Sequence, residues 1–174
     1  MPTPLTALQA PPAGRYVLDP AGSLVTFETR HMFGLGRVRG ALAVTDGALD
    51  VAEPAAGSSV QAAVSTASFS TRNPMRDPQV RSGLFLDARH HPEISFRSTV
   101  IRRGGDGWTV SGVLTVKGRP APLDLTITSI ATDGDAVVFR ASGTVDRYAH
   151  GITAMRGMAA RHLTIQITAR ASRA

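Results

Sequence analysis

The stretch Val25-Thr26-Phe27-Glu28-Thr29-Arg30-His31 decides how the chain is read. Successive side chains of an extended backbone point to opposite faces, so Val25, Phe27, Thr29 and His31 share one side. Thr26, Glu28 and Arg30 share the other. A strand with one face in water produces this alternation.

Working outward, Val38, Gly40, Leu42 and Val44 align on one face of the next segment, with Arg37 and Arg39 opposite. The loop Phe33-Gly34-Leu35-Gly36 between the two suits a hairpin. Ser59 to Ser68 aligns Val60, Ala62 and Val64, and Ile94, Phe96 and Ser98 follow the same rule. After the turn Gly104-Gly105-Asp106-Gly107, one side carries Trp108, Val110, Gly112, Leu114 and Val116. Lys117-Gly118-Arg119-Pro120 turns into Leu123, Leu125 and Ile127, and Asp133-Gly134-Asp135 leads into Val137 to Val145. A last strand sets Leu163, Ile165, Ile167 and Ala169 against His162, Thr164, Gln166 and Thr168. The pattern predicts about eight strands, antiparallel by their short connections.

One segment breaks the period. In Asn73 to Gly83, Asp77 is placed to cap a helix, Pro78 to open it and Gly83 to end it. A short helix near 78–83 is expected, followed by Leu84-Phe85-Leu86 as a plug or lining at one end of the sheet.

The 174 residues fit one domain, with 43% hydrophobic and 18% charged. No apolar run approaches the roughly 20 residues of a transmembrane helix. The first fourteen residues, broken by Pro2, Pro4, Pro11 and Pro12, lack the basic and apolar regions of a secretory leader. They are expected to form a flexible tail on a domain spanning 15–174, and the protein is expected in the cytoplasm. The chain has no cysteine, which excludes thiolate chemistry. Its net charge of +6 comes almost wholly from arginine, Lys117 being the one lysine. These arginines are scattered and aromatics make up only 5%, so no base-stacking platform and no nucleic-acid partner are expected. Anionic surfaces or head groups fit the charge better.

Strands with one apolar face must bury it, as a closed barrel or as two packed sheets. A barrel of about eight strands is filled by side chains or holds one small ligand. The inward set mixes Val25, Phe27, Leu42, Phe96, Trp108 and Leu114 with the small Gly40, Ala62 and Gly112. Small inward residues leave room, which a ligand or neighbouring aromatics can take.

Several pieces together resemble the YceI-like polyisoprenoid-binding proteins, from about Tyr16 to Ala169. They include Tyr16-Val17-Leu18-Asp19, Val25 to His31, Val38-Arg39-Gly40, Ser68-Phe69-Ser70-Thr71, Arg76-Asp77, Arg81-Ser82 and Phe85-Leu86-Asp87. Further on come Pro92-Glu93-Ile94-Ser95-Phe96-Arg97-Ser98-Thr99, Gly112 to Gly118, Val145-Asp146-Arg147-Tyr148 and Gly151-Ile152. No single piece is specific, but their order and spacing are. The chain departs from the family's pattern at Ala21-Gly22-Ser23, at Pro78-Gln79-Val80 and at Leu86, and many family members carry a secretory signal.

The resemblance implies an all-β, eight-stranded antiparallel, lipocalin-like barrel with a short helix, enclosing an isoprenoid such as a quinone or prenyl phosphate. Carriage or sequestration of that lipid is the expected function, with no cofactor beyond the bound lipid and no metal. Val25, Phe27, Val38, Leu42, Val64, Phe85, Phe96, Trp108 and Leu114 are the expected cavity lining. His31, Arg81 and Arg147 are the candidate head-group contacts. Transient contact with a membrane surface is expected as well, and a homodimer is compatible with the sequence. Each isoprene unit gains about 3–4 kcal/mol on leaving water, at about 0.8 per methylene, but a membrane offers the same gain. Shape fit and polar contacts must therefore supply the preference for the protein.

No H-E-x-x-H and no G-x-S-x-G occurs. The neighbours His90 and His91 would point to opposite faces of an extended chain. The glycines Gly34, Gly36 and Gly40 have the wrong spacing for a dinucleotide site. No catalytic constellation is therefore expected. Two alternatives stay open: a filled barrel acting as a stress or interaction protein, and an enzyme on a small hydrophobic substrate using His31.

Overall fold

The computed structural model describes residues 8–31, 34–105 and 107–174. Among them the alternating segments form nine strands. These are β1 (Gly14–Leu18), β2 (Leu24–His31), β3 (Gly36–Val51), β4 (Ser59–Ser65), β5 (Glu93–Gly104), β6 (Gly107–Val116), β7 (Arg119–Asp133), β8 (Ala136–Asp146) and β9 (His162–Arg173). Hydrogen-bonded neighbours run β3-β2-β9-β8-β7-β6-β5-β4, and β4 pairs back onto β3. Closure of this kind leaves no long edge strand to aggregate.

The extra strand β1 does not widen the barrel. Like β2, it pairs with β3 on one side and β9 on the other. The two share one row, interrupted by a short 3₁₀ turn at Pro20–Gly22. The result is an eight-row antiparallel barrel.

Three strands run longer than alternation predicts, and each carries an irregularity in register. The breaks fall between Val44 and Asp46 in β3, Ser98 and Val100 in β5, and Ile127 and Ser129 in β7. A bulge adds one residue to its strand and shifts every later side chain to the other parity. The inward sets therefore read Leu42, Val44, Leu49, Val51 in β3 and Leu125, Ile127, Ile130 in β7. Bulges also add the local bend and twist that a closed sheet needs.

The connections sort to two ends. At one, called here the capped end, lie the turn between β2 and β3, the long segment 66–92, the β6–β7 turn and the segment 147–161. The other end carries the β3–β4, β5–β6 and β7–β8 connections and both termini. Phe33 and Asp106, which belong to two of the expected turns, lie outside the described residues, as does Met32.

The short helix α1 (Asp77–Arg81) forms where expected, but Asp77 does not cap it. Its buried carboxylate turns back and accepts hydrogen bonds from the backbone N–H and hydroxyl of Thr71, and from the Asn73 N–H at 3.4 Å. Burial pushes its pKa up. The Thr71 and Asn73 hydrogen bonds and the charge of Arg81 outweigh that, leaving it below the ordinary carboxylate value. Asp77 is thus a tie for the loop ahead of the helix.

The expected tail to residue 14 also differs from what is seen. Met1–Ala7 lie outside the described residues, but from Leu8 the chain packs across the far end of the barrel. The Trp108 indole N–H donates to the Leu8 carbonyl at 3.0 Å, and the Tyr16 hydroxyl donates to the Pro12 carbonyl at 2.8 Å. Leu8 and Ala10 pack against the core there. No described helix is long and apolar enough to cross a membrane.

Candidate functional site: the barrel interior

The inward faces do not meet at the centre. They enclose a cavity of about 340 Å³, within the range of small-molecule sites. The wall draws on every strand row and joins two clusters of buried residues. One is centred on Trp108, Leu114 and Leu125, the other on Tyr16, Val44 and Val51. Side chains from β2 to β9 line its sides, Ala10 and Pro11 reach it from the far end, and Phe69, Val80, Phe85 and Leu86 reach it from segment 66–92. Of the trio at 84–86, Phe85 and Leu86 face inward while Leu84 is exposed.

Eight of the nine residues expected as lining are on this wall: Val25, Phe27, Leu42, Val64, Phe85, Phe96, Trp108 and Leu114. Val38 is not. It is buried, but it lies two residues closer to the capped end than the Phe27–Gly40 pair. The Phe27 and Phe69 rings, stacked at 5.1 Å, bound the cavity before Val38 is reached.

The small inward residues are not what makes the room. A side-chain carbon on Gly40 would meet the Phe27 ring, and one on Gly112 would meet the Phe96 ring. The aromatic rings lie over the glycine backbones, and the space opens beyond them.

The three candidate head-group residues part company. His31 does not reach the cavity. It ends β2 opposite Gly36, and its imidazole covers the glycine's α-carbon, a packing role. Arg81 points at backbone, its guanidinium donating twice to the Phe69 carbonyl. It holds the plug segment and has no route inward. Arg147 does line the cavity.

Arg147 is 6% exposed, and no carboxylate pairs with it among the described residues. Its Nε donates to the Ala160 carbonyl at 2.8 Å, Nη1 to Ile152 and Nη2 to Ala159, both at 3.0 Å. Phe85 and Tyr148 offer ring faces to the cation at 5.8 and 5.0 Å. Burial pulls its pKa below the ordinary arginine value, though a guanidinium stays charged in proteins.

Sequence reading missed His150. The turn Arg147–His150 is 3₁₀, in which side chains three apart stack on one face. Arg147 and His150 accordingly both turn inward, while Ala149 is exposed. His150 is 3% exposed and lines the cavity. Its Nδ1 lies 2.8 Å from the Arg119 carbonyl, which can only accept, so Nδ1 carries the proton. The only available signal was the i, i+3 spacing after a strand. Asp146 caps this turn by accepting from the Tyr148 N–H, and is itself held by two hydrogen bonds from Arg161.

The fold and the site define a closed antiparallel β-barrel with an apolar internal cavity and two polar side chains at its capped end. The chain belongs to the YceI-like family, the YceI-like domain matching residues 16–171. It is 29% identical over 164 residues to a UPF0312 protein of Pectobacterium atrosepticum, covering 89% of this chain and 84% of that one. A UPF0312 protein of Yersinia enterocolitica is 29% identical over 171 residues, covering 93% and 88%. Among solved structures, Burkholderia cenocepacia BcnA superposes with a TM-score of 0.75 at 24% identity, over 89% of this chain and 99% of that one. A polyisoprenoid binding domain from Saccharophagus degradans, described as implicated in plant cell wall breakdown, gives 0.70 at 12% identity, over 91% and 98%.

Proposed function

We propose that the protein is a binding protein, not an enzyme, that holds an isoprenoid lipid in the barrel for sequestration or carriage. The observation that carries this reading is the apolar cavity of about 340 Å³, walled along the barrel by alternate residues of a closed sheet. A filled barrel would bring these side chains together, since protein interiors pack like organic crystals. The family and the naming of a similar barrel as polyisoprenoid-binding support the same ligand class. Organic extraction and mass spectrometry of purified protein test it, together with titration of prenyl quinones against the fluorescence of Trp108, the only tryptophan and a wall residue. Saturable quenching is expected; no ligand recovered and no uptake would overturn the proposal.

Loading takes place at the capped end, from an anionic phospholipid bilayer. Leu35, Met75, Leu84, Met155 and Met158 are exposed on the connections there, Met75 to 86%. Arg72, Arg89 and Arg156 are exposed among them without a carboxylate partner among the described residues. At this end Asp77, Asp87 and Asp146 are tied to Thr71, His90 and Arg161 and Glu93 is exposed, while Asp50, Glu53, Asp133 and Asp135 lie towards the far end. Apolar tips within a basic rim fit the interface of a negatively charged membrane.

A further inference from the structure

We infer that segment 8–12 is a stop for the ligand's tail and limits the barrel to isoprenoids with a short chain. This rests on the reading that the cavity takes an isoprenoid lipid, and adds which chain lengths it takes.

The segment lies ahead of Tyr16, where the match to the YceI-like domain begins. Leu8, Ala10 and Pro11 are half-buried against the far end of the barrel, while Gln9 and Pro12 are exposed. Two hydrogen bonds from the barrel hold it, one from the Trp108 indole to the Leu8 carbonyl and one from the Tyr16 hydroxyl to the Pro12 carbonyl. Ala10 and Pro11 line the cavity. Proline suits a place against an apolar space, because it has no backbone N–H to leave unpaired and its fixed φ lowers the entropy lost on ordering. Segment 8–12 is therefore wall across the end of the cavity, where the strands supply wall along its sides.

This interior has length to select by and little else. Its wall is hydrocarbon almost throughout, so the isoprenoid chain is the part it recognises. An isoprene unit gains about as much on burial in the protein as in a bilayer, but a unit that finds no room stays in water and forfeits that gain. At about 340 Å³ the cavity lies near the small end of ligand sites, which run from about 300 to 1,000 Å³. A tail entering from the capped end meets Ala10 and Pro11, and units beyond that limit are left outside.

Geraniol, farnesol, geranylgeraniol and solanesol, each dissolved in phosphatidylcholine vesicles, are equilibrated with wild type, Ala10→Phe, Ala10→Leu and Gln9→Phe. The vesicles are then sedimented, and the alcohol carried by the protein is measured by mass spectrometry. Partition from a bilayer cancels the dependence of water solubility on length, so fit remains. Wild type is expected to carry solanesol, the nine-unit chain, roughly tenfold less well than farnesol or worse, since tenfold is about 1.4 kcal/mol and one unit left in water forfeits more. Ala10→Phe is expected to lose several-fold in the longest alcohol that wild type carries, with geraniol little changed, and Ala10→Leu to lose less. Gln9→Phe puts the same ring on the outer face of the segment and is expected to match wild type at every length. Three results overturn the stop and leave lipid binding standing: solanesol carried as well as farnesol by wild type, a length profile unmoved or lengthened in both Ala10 variants, or the same change in Gln9→Phe. Failure of all four alcohols to enter wild type overturns both.

Discussion

Phe27 and Gly40 are direct cross-strand partners in β2 and β3, and the phenyl ring lies over the glycine's α-carbon. A Cβ at Gly40 would fall 2.4 Å from Phe27 Cζ and 2.6 Å from the Ser70 carbonyl oxygen. The ring could rotate away, but the backbone could not. Gly40→Ala is therefore expected to cost about 1–3 kcal/mol by overpacking. Gly83→Ala, where nothing lies within 4 Å, is expected within about 0.5 kcal/mol of wild type. Urea midpoints of the two variants check the contrast, and equal midpoints would remove the ring-over-glycine account.

Val110 is an inward residue of β6 opposite Ile101 and Leu125, and its side chain borders the cavity. In a filled core, Val110→Phe would cost about 1–3 kcal/mol. Here the added ring has space to enter, so stability within about 1 kcal/mol of wild type is expected, with prenyl quinone uptake reduced. A large stability loss with uptake intact would favour the filled barrel of the alternative reading.

The eight rows were legible in the sequence because one residue in two faces a common interior, and β6 and β9 keep that rule from end to end. The rest was hidden where the rule is locally suspended. The aligned face read from Val38 stops at Val44, yet the bulge carries β3 on to Val51. Ile130 in β7 and Ile101 in β5 fell out of phase for the same reason. The strand β1 is five residues long behind a proline-rich stretch, too short to show a period. At the site, the wall followed from alternation, but His31, Arg81 and Arg147 could not be separated, since their targets are backbone groups set by tertiary packing. His150 lies in a 3₁₀ turn whose inward face no strand periodicity reveals.

Asp146 links acid stability to the site. The hydrogen bonds from Arg161 lead in lowering its pKa from 3.8 to about 2; burial opposes, while the Tyr148 N–H and the charges of Arg161 and His162 assist. A carboxylate with a depressed folded-state pKa stabilises the fold above its unfolded value, and that contribution is lost as pH falls through the folded value. Asp146→Asn retains an oxygen to cap the turn but loses the charge. The variant is expected to be less stable than wild type at pH 7, with the gap closing between about pH 4 and pH 2. Urea unfolding across that window reads it, and a gap independent of pH would dismiss the assignment.

The capped end offers a test that leaves the barrel intact. Met75 and Leu84 are exposed, so replacing both with serine removes apolar tips without opening the core, and surface changes of this kind usually alter stability by no more than about 0.5 kcal/mol. Co-sedimentation with vesicles containing phosphatidylglycerol should fall several-fold in the double variant, and again in wild type when salt is raised, because exposed charges are screened within about 10 Å at 0.1 M. Vesicles of phosphatidylcholine alone should bind weakly in every case. Lipid uptake from detergent-free solution should match wild type, since neither residue lines the cavity. Equal sedimentation of the variant and wild type on anionic vesicles would mean that this end is not where the protein meets a bilayer.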